Sequence, residues 1–222
     1  MKSALIIGAS GLVGTDCLHL VLENQNIDKV TILVRKLLPI SHKKLTQLII
    51  DFNLLENYKN DIKADIVFCC IGSTMKKAGT KENYELIDRI YPREIAKIAL
   101  VNGATHFLLV SAMGANKDSA IFYNKLKGLV ENDIKELGYR IVSIFRPSLL
   151  VGDRKEHRTG ESFWIKLMNI INPLLLGSLK KYRSIKTIDV AKAMVYSSLT
   201  LKEGITIYTS DKILDLSLLY RK

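Results

Sequence analysis

Hydrophobic positions along the chain follow two patterns, and each pattern predicts a different kind of element. Short runs of Ile, Leu and Val predict strands, whereas longer stretches with apolar residues at every third or fourth position predict helices. The predicted strands are 3–7, 29–34, 45–50, 65–71, 106–110 and 140–145. The predicted helices between them are 12–23, 83–102 and 122–137. Because the first run, Ala4 to Ile7, has no polar position, we expect strands that are buried on both faces of a parallel sheet.

The alternation of strand and helix predicts an α/β fold, a Rossmann-type doubly wound parallel sheet in a single domain over residues 1–222. Gly103 and Gly138 each follow a predicted helix, and glycine readily takes the left-handed conformation that ends a helix. Beyond Phe145 the pattern loosens, with predicted helices at 161–171, 189–199 and 212–220 and a predicted strand at 205–208. We expect residues 152–222 to contribute a small cap on the substrate side, at the carboxyl edge of the sheet where this architecture binds ligands.

Composition narrows the class of protein. The 222 residues are 48% hydrophobic and 25% charged, which supports a sizeable core and excludes intrinsic disorder, collagen and coiled coil as global descriptions. No apolar run approaches the roughly 18 residues of a membrane span, and the first run is too short for a signal-peptide core. These features predict a cytoplasmic protein without membrane contact. The three cysteines, Cys17, Cys69 and Cys70, have no metal-ligand spacing, so we expect reduced thiols and no metal site.

The net charge of +11 raises the question of anionic partners. Basic residues exceed acidic ones by 15 to 7 in residues 140–222, but only by 18 to 15 in residues 1–139. No helix-turn-helix, zinc or RNA-binding signature accompanies the basic third, so nucleic acid is not the expected partner. Lys180, Lys181, Arg183 and Lys186 are more simply a solvated rim or an attractor for an anionic cofactor or substrate.

Three glycines at regular spacing follow the first predicted strand directly. Gly8, Gly11 and Gly14 lie in the first strand-to-helix turn, where glycine permits a tight turn and close approach of the backbone to a pyrophosphate. The start of the following helix offers free N–H groups to the same anion. The alternative is a tight turn without a ligand. The residues predicted to contact the dinucleotide here are Gly8, Ser10, Gly11, Leu12, Val13 and Gly14.

The ends of the next strands predict which dinucleotide is bound. Arg35 and Lys36 follow the second strand, where a carboxylate would bind the ribose hydroxyls of NAD; two cations suit the 2′-phosphate of NADP instead. A solvated turn is the alternative interpretation. Contacts to the adenine and its ribose are predicted at Asp51, Phe52, Cys70, Ile71 and Gly72, although packing explains Phe52 and Cys70 equally well.

A tyrosine followed four residues later by a lysine on one helix places an acid and a cation on the same face. A carbonyl reductase can use such a tyrosine as its acid, because a nearby cation lowers the pKa of a phenol. The sequence contains the pairs Tyr123/Lys127, Tyr182/Lys186 and Tyr208/Lys212. Only Tyr123 and Lys127 open a clear helix after a strand, and Ser111 ends that strand, where its hydroxyl can donate to the same carbonyl oxygen. A surface Tyr and Lys beside a strand-ending Ser is the alternative.

These motifs together resemble the short-chain dehydrogenase/reductase superfamily in its extended or atypical branch, and within it the HIV Tat-interacting protein family and its bacterial NAD(P)-binding relatives. The motifs are Gly8-xx-Gly11-xx-Gly14, Ser111, Tyr123-xxx-Lys127 and Phe145-Arg146-Pro147-xx-Leu150-xx-Asp153. Further matching segments are 65–74, 77–79, 111–117 and 154–161.

The resemblance implies an NADP(H)-binding domain with Arg35 at the 2′-phosphate and Tyr123 and Lys127 as the catalytic pair. It implies that Lys127 also holds ribose hydroxyls and that Pro147 and Leu150 border the nicotinamide. Two features depart from the family pattern. The residues Cys70-Ile71-Gly72-Ser73 replace an asparagine-bearing turn, and Ser111 lies nearer the tyrosine than is typical, with Ser119 as a less favoured substitute.

Two functions follow as hypotheses. The first is an NADP(H)-dependent oxidoreductase, preferring NADPH to NADH, that reduces an unidentified small-molecule carbonyl substrate with Tyr123 as acid, Lys127 as cation and Ser111 orienting the oxygen. The second is an NADP(H)-binding regulatory or interaction protein with little turnover and a protein partner, because some members of the family are regulators rather than enzymes.

Overall fold

A parallel β-sheet with helices on both faces forms the centre of the molecule in the computed structural model, which describes residues 1–152, 175, 177–199 and 203–220. The strands are β1 (Lys2–Ile7), β2 (Ile27–Val34), β3 (Leu45–Ile49), β4 (Ile66–Cys69), β5 (His106–Val110), β6 (Ile141–Arg146), β7 (Leu150–Val151), β8 (Ile185–Lys186) and β9 (Gly204–Thr209). The α-helices are α1 (Leu12–Glu23), α2 (Met75–Ala78), α3 (Lys81–Glu85), α4 (Tyr91–Val101), α5 (Phe122–Glu136), α6 (Thr187–Leu199) and α7 (Ser210–Leu219).

The main sheet has seven strands in the order β3-β2-β1-β4-β5-β6-β9, and every neighbouring pair is parallel. The strand order reverses direction between β1 and β4, and a ligand crevice opens at the carboxyl ends of the strands on either side of such a reversal. The predicted Rossmann-type doubly wound sheet is therefore confirmed.

Alternate side chains of the central strands fill two separate cores. Ile6 and Phe68 belong to the core shared with α1 and α6, whereas Leu5 and Val67 belong to the core shared with α4 and α5. This period of two buries both faces of β1 from Ala4 to Ile7 and of β4, which explains why these stretches carry only apolar residues.

The segment predicted as one helix over 83–102 consists of three parts. A π-helical turn, Leu86–Ile90, separates α3 from α4. Pro92 lies in the first turn of α4 and has no N–H to donate to the carbonyl of Asp88, so regular α-helical bonding is interrupted there. Gly103 and Gly138 do have positive φ after α4 and α5, as predicted from the sequence.

The described part of the C-terminal region belongs largely to the main sheet and its helices. The predicted strand at 205–208 is β9, which pairs with β6 at the sheet edge, and α6 packs beside α1. Among the described residues, β7 and β8 form a second, two-stranded sheet apart from the main one. The predicted helix at 161–171 lies outside the described residues, and a substrate cap in this region stays a prediction. Among the described helices none is both long and apolar enough to span a bilayer.

Candidate active site

The glycine turn after β1 is packed so tightly that side chains are sterically excluded. Gly8 has a φ of +81°, and a Cβ there would lie 2.6 Å from backbone atoms of Cys70 and Ile71. A Cβ on Gly14 would lie 2.0 Å from the carbonyl oxygen of Gly8. The Gly11 N–H donates to the Gly8 carbonyl over 2.9 Å and closes the turn. These contacts explain why the turn needs glycine at these positions.

The amino end of α1 is open to an anion. Gly11 is the N-cap residue and offers no side-chain cap, and the first turn of α1 carries no acidic residue. Ser10 and Gly11 are exposed and Leu12 is half-buried, so the first N–H groups of the helix face outward, while Val13 is buried. The cradle formed by the glycines and the free helix end therefore fits the pyrophosphate of a dinucleotide.

Polar and aromatic residues follow β2 and β3 at the carboxyl edge of the sheet, the edge that also carries the glycine turn. Arg35 and Lys36 are exposed directly after β2. Asp51 caps the 3₁₀ helix Phe52–Tyr58 by accepting a hydrogen bond from the Asn53 N–H over 2.9 Å. Its carboxylate therefore has a local structural role in addition to any contact with an adenine.

Tyr91 of α4 also lies beside Phe52 and Asn53, although no sequence pattern predicted it. Its ring lies 5.4 Å from that of Phe52, and its hydroxyl donates to the Asn53 side chain over 2.6 Å. Burial and the Asp51 carboxylate raise the pKa of Tyr91, while Arg35 opposes the rise. The structure thus brings Arg35, Asp51 and Phe52 together and adds Tyr91 from α4.

The chain that leaves β4 connects the glycine turn to the predicted catalytic pair. Cys70 and Ile71 pack against Gly8, as described above. Two residues further, a Cβ on Gly72 would lie 3.7 Å from the Asp88 carboxylate and 3.8 Å from the Lys127 ammonium. Residues 70–72 therefore form a common wall between the phosphate cradle and the start of α5.

Lys127 forms a buried ion pair with Asp88. The Lys127 Nζ lies 2.9 Å from Asp88 Oδ2, and the Ser73 N–H donates to Asp88 Oδ1 over 2.6 Å. Burial disfavours the charge on Lys127, but Asp88 and then Tyr123 more than compensate, so the pKa of Lys127 is raised above its ordinary value. Lys127 is therefore a fixed cation whose charge is coupled to the Tyr123 phenol, and Tyr123 itself is 40% exposed.

Sequence reasoning missed Asp88. The residue lies within the π-helical turn before α4, in a segment predicted as ordinary helix. A single buried acid in a helix gives no periodic signal, and only the packing of α4 against α5 brings it to Lys127. The Pro92 that interrupts α-helical bonding one turn later was the available indication of irregular structure here.

Ser111 is placed differently from Tyr123 and Lys127. Its hydroxyl donates to Glu131 Oε1 over 2.5 Å, and both side chains are buried. Arg146 donates to the same carboxylate through Nε at 2.8 Å and Nη2 at 2.6 Å, and the Lys135 Nζ lies 3.6 Å away. The hydroxyl proton of Ser111 is thus directed at Glu131, and its catalytic role stays a prediction. Glu131 itself was not predicted. Its position four residues after Lys127, on the same face of α5, was the sequence signal that could have identified it.

Three further predicted site residues, Pro147, Leu150 and Ser119, lie in the segments that follow β5 and β6. Pro147 is buried, and its carbonyl accepts a hydrogen bond from Met113 over 2.9 Å, while Leu150 lies half-buried in β7. The Ser119 hydroxyl accepts from the Ile121 N–H within its own loop.

The two alternative tyrosine and lysine pairs lie elsewhere. Tyr182 is exposed beneath the Lys181 ammonium, whereas the Tyr208 ring stacks on Phe145 and Lys212 pairs with Asp215. Neither pair adjoins the turn after β4, so the α5 pair remains the one beside the glycine cradle.

Solved structures share this fold. The Bordetella bronchiseptica enzyme WbmH in complex with NAD+ superposes with a TM-score of 0.70 at 18% identity, covering 98% of this chain and 79% of that one. MoeE5 in complex with UDP-glucose and NAD gives a TM-score of 0.68 at 14% identity, with coverage of 98% and 81%. The chain therefore shares the Rossmann-like α/β fold of these two proteins.

Curated relatives define the family. Protein HTATIP2 of Rattus norvegicus is 37% identical over 164 residues, which are 72% of this chain and 67% of the relative. Protein FMP52, mitochondrial, of Candida albicans is 30% identical over 230 residues, 97% of this chain and 98% of the relative. No protein-family model matches the chain. The chain belongs to the family of HTATIP2 and FMP52.

The relatives correct one expectation. The sequence led us to predict a cytoplasmic protein, but the FMP52 relatives from several fungi are named as mitochondrial, which contradicts that prediction. The physical reason is that the lack of an apolar span or signal core excludes only some destinations and does not define one compartment.

Proposed function

We propose that this protein binds NADP(H) in preference to NAD(H) and transfers hydride to a small-molecule carbonyl substrate. One observation carries the proposal. The buried Lys127–Asp88 pair, with Tyr123 coupled to it, lies beside Gly72 on the wall that also forms the glycine cradle. An acid, a fixed cation and a phosphate cradle at one edge of the sheet are the parts that carbonyl reduction needs.

The residues present fit a nicotinamide dinucleotide. The glycine cradle would take the pyrophosphate, Arg35 and Lys36 the 2′-phosphate, and Lys127 the nicotinamide ribose hydroxyls. The bound dinucleotide supplies the hydride that reduces the carbonyl carbon.

Tyr123 would donate its phenolic proton to the carbonyl oxygen, which becomes the alcohol oxygen. Lys127 would stabilise the negative charge that develops on the phenol oxygen, because Asp88 holds the ammonium charged and in place. Ser111 is not a second proton donor in this proposal, because its hydroxyl donates to Glu131.

The cofactor part is tested by titrating the protein with NADPH and with NADH while following nicotinamide fluorescence. We expect NADPH to bind at least about tenfold more tightly, and Arg35→Gln to lose most of that difference while leaving NADH unchanged. Arg140→Gln is the matched control, because Arg140 is exposed and lies before β6 at the opposite edge of the sheet. Equal binding of the two dinucleotides by the unaltered protein would contradict the NADP preference.

The catalytic part is tested with Tyr123→Phe on the best substrate from a carbonyl screen. We expect kcat to fall at least about 100-fold with NADPH affinity retained, since only the proton donor is removed. Tyr182→Phe is the control, because Tyr182 has a lysine at the same spacing but lies away from the cradle. Unchanged kcat in Tyr123→Phe would contradict the mechanism.

A second candidate function is an NADP(H)-binding regulatory protein with little turnover. The engagement of the Ser111 hydroxyl by Glu131 favours it, because this removes one donor that the substrate oxygen would use. The HTATIP2 relative is consistent with it as well. This protein would bind NADPH tightly, oxidise it no faster than solvent does throughout the carbonyl screen, and bind its partner more tightly when NADPH is present.

A further inference from the structure

The crossover that joins β2 to β3 has no helix of its own. It runs from Arg35 to Lys44, and its residues lie outside helices and strands. Parallel strands are usually joined by a longer crossover that contains a helix, whose backbone groups bond to one another. The backbone of this crossover must find other partners, because a backbone group that loses water without a new partner costs free energy.

A side chain of β3 supplies those partners. Gln47 Oε1 accepts a hydrogen bond from the Leu38 N–H over 2.9 Å, and Gln47 Nε2 donates to the Leu38 carbonyl over 3.0 Å. The same nitrogen donates to the Ile40 carbonyl over 3.0 Å. A glutamine amide carries the donor and the acceptor of a peptide group, so Gln47 bonds to Leu38 as a neighbouring strand would. We call these three hydrogen bonds the Gln47 anchor.

Apolar packing holds the same part of the crossover. Leu38 and Ile40 are half-buried against the core shared with α1 and α6. Leu45, two residues before Gln47 on β3, packs against that core as well. Because side chains two residues apart on a strand point to the same face, the amide and the two apolar side chains meet on one side of the sheet. Residues 38–40 are therefore fixed against β3.

The Gln47 anchor leaves a short span between two fixed points. Val34 is buried at the end of β2, and Leu38 is bonded by the anchor. Residues 35–37 lie between them, and all three are exposed. The backbone of Arg35 therefore has little freedom, while its side chain is open to a ligand.

We propose that Gln47 is a positioning residue for the dinucleotide preference, because it holds the crossover so that Arg35 faces the 2′-phosphate of NADP(H). This inference rests on the proposed function, which assigns the 2′-phosphate to Arg35 and Lys36. A loosened crossover has to become ordered when the phosphate binds, and that loss of entropy lowers the affinity. NAD(H) has no 2′-phosphate, so its affinity does not depend on the anchor.

The effect on preference is tested with Gln47→Met, which keeps the length of the side chain and removes all three hydrogen bonds. In the nicotinamide fluorescence titration we expect NADPH to bind about fivefold more weakly, and NADH to bind within about twofold of the unaltered protein. Gln25→Met is the matched control, because Gln25 is exposed after α1. Unchanged NADPH affinity, or equal weakening of NADPH and NADH, would overturn the proposal.

Dependence on the cation is tested by combining Gln47→Met with Arg35→Gln. If Gln47 acts by placing Arg35, the two changes are not additive. We expect Gln47→Met to weaken NADPH binding less than about twofold once Arg35 is replaced. The same fivefold loss in the presence and absence of Arg35 would show that Gln47 acts by another route and would overturn the proposal.

The Gln47 anchor itself is tested without a cofactor, by limited proteolysis. Trypsin can cleave the crossover after Arg35, Lys36 and Lys43, and it needs a locally opened segment to do so. We expect cleavage there to be at least about tenfold faster in Gln47→Met than in the unaltered protein and in Gln25→Met. Cleavage confined to the crossover distinguishes this local opening from unfolding of the whole protein.

A second variant keeps this test independent of the folding of Gln47→Met. Gln47→Glu retains the acceptor for the Leu38 N–H and loses both donated bonds, so it should also be cleaved faster in the crossover. Equal cleavage rates in both variants and the unaltered protein would overturn the anchor. If the unaltered protein does not prefer NADPH, the proposed function and the role of Gln47 in preference both fail, while the cleavage rates still decide whether Gln47 holds the crossover.

Discussion

Two buried charged clusters lie four residues apart on α5, and they differ in how completely their groups are paired. Glu131 accepts hydrogen bonds from Ser111 and from two nitrogens of Arg146, with Lys135 close by. Among the described residues, the carboxylate in ion-pair contact with Lys127 is that of Asp88 alone. An ammonium has three donors, so Lys127 keeps donors for a ligand, whereas the Glu131 cluster is closed.

The difference shows that charge and burial by themselves do not distinguish a ligand site from a structural network. Both clusters hold charged side chains inside the protein, and their central residues, Lys127 and Glu131, lie one turn apart on the same face of α5. The Lys127 cluster lies beside Gly72 and is coupled to the exposed Tyr123, while the Glu131 cluster ties together β5, β6 and α5. We therefore expect changes at Glu131 to act mainly on stability and changes around Lys127 to act on both stability and ligand binding.

The largest effect is expected from Glu131→Ala. The change leaves the partly buried Arg146 and the buried Ser111 hydroxyl without their acceptor, which should lower the free energy of unfolding by about 4 kcal/mol. Urea unfolding followed by circular dichroism measures it. Glu136→Ala, at an exposed position of the same helix, should stay within about 0.5 kcal/mol of the unaltered protein. A loss below about 1 kcal/mol for Glu131→Ala would show that this cluster is not structural.

We expect the second largest loss of stability from Asp88→Asn. The amide still accepts a hydrogen bond from the Ser73 N–H, but Lys127 loses its countercharge while buried, for an expected loss of about 3 kcal/mol. NADPH affinity should fall as well, because the Lys127 side chain is no longer held in place. Asp118→Asn, an exposed acid in the loop before α5, is the control for both measurements. Full NADPH affinity in Asp88→Asn would contradict the proposed link between the pair and the ligand.

A third buried polar pair, His106 and Ser143, carries no charge, and we expect its contribution to stability to depend on pH. The His106 ring bonds to the Ser143 hydroxyl over 3.1 Å, and burial followed by the charge of Lys2 lowers the pKa of His106 to about 4. An unfolded histidine takes up a proton near pH 6.5, so stability should be unaffected above that pH and decline as the pH falls from about 6.5 toward 4. The linkage predicts a loss of about 2 kcal/mol at pH 5 from this group.

The measurement is urea unfolding at pH 7 and pH 5. His106→Gln should remove about 2 kcal/mol of the difference between the two pH values, and His19→Gln, at an exposed position of α1, should leave the difference unchanged. An equal difference in His106→Gln and the unaltered protein would mean that His106 is not held neutral.

The smallest effect on stability is expected from Ser111→Ala. Glu131 keeps both bonds from Arg146, so the loss should be about 1 kcal/mol in the same unfolding experiment. On the best carbonyl substrate, turnover by Ser111→Ala should fall far less than turnover by Tyr123→Phe. Equal losses of kcat in the two variants would show that Ser111 takes part in catalysis and is not only structural.

Several elements could be predicted from the sequence because their signals are local. The bounds of α1 and β5 coincide with the predicted ones, since glycines and apolar runs mark their ends. The glycine spacing also predicted a tight first strand-to-helix turn, where a Cβ on Gly8 or Gly14 would clash with the backbone. By contrast, the π-helical turn that holds Asp88 was predicted as regular helix, because the missing bond at Pro92 alters the geometry and leaves the apolar pattern intact.

The sequence by itself determined the order of strands and helices, the glycine turn and the presence of Tyr123 and Lys127 on one helix face. These features depend on backbone preferences and on spacing within a few residues, which every sequence displays directly. The tertiary structure decided which acid pairs with Lys127 and which carboxylate takes the Ser111 hydroxyl. Such pairings join residues far apart in the chain, and only the packing of sheet and helices brings them within bonding distance.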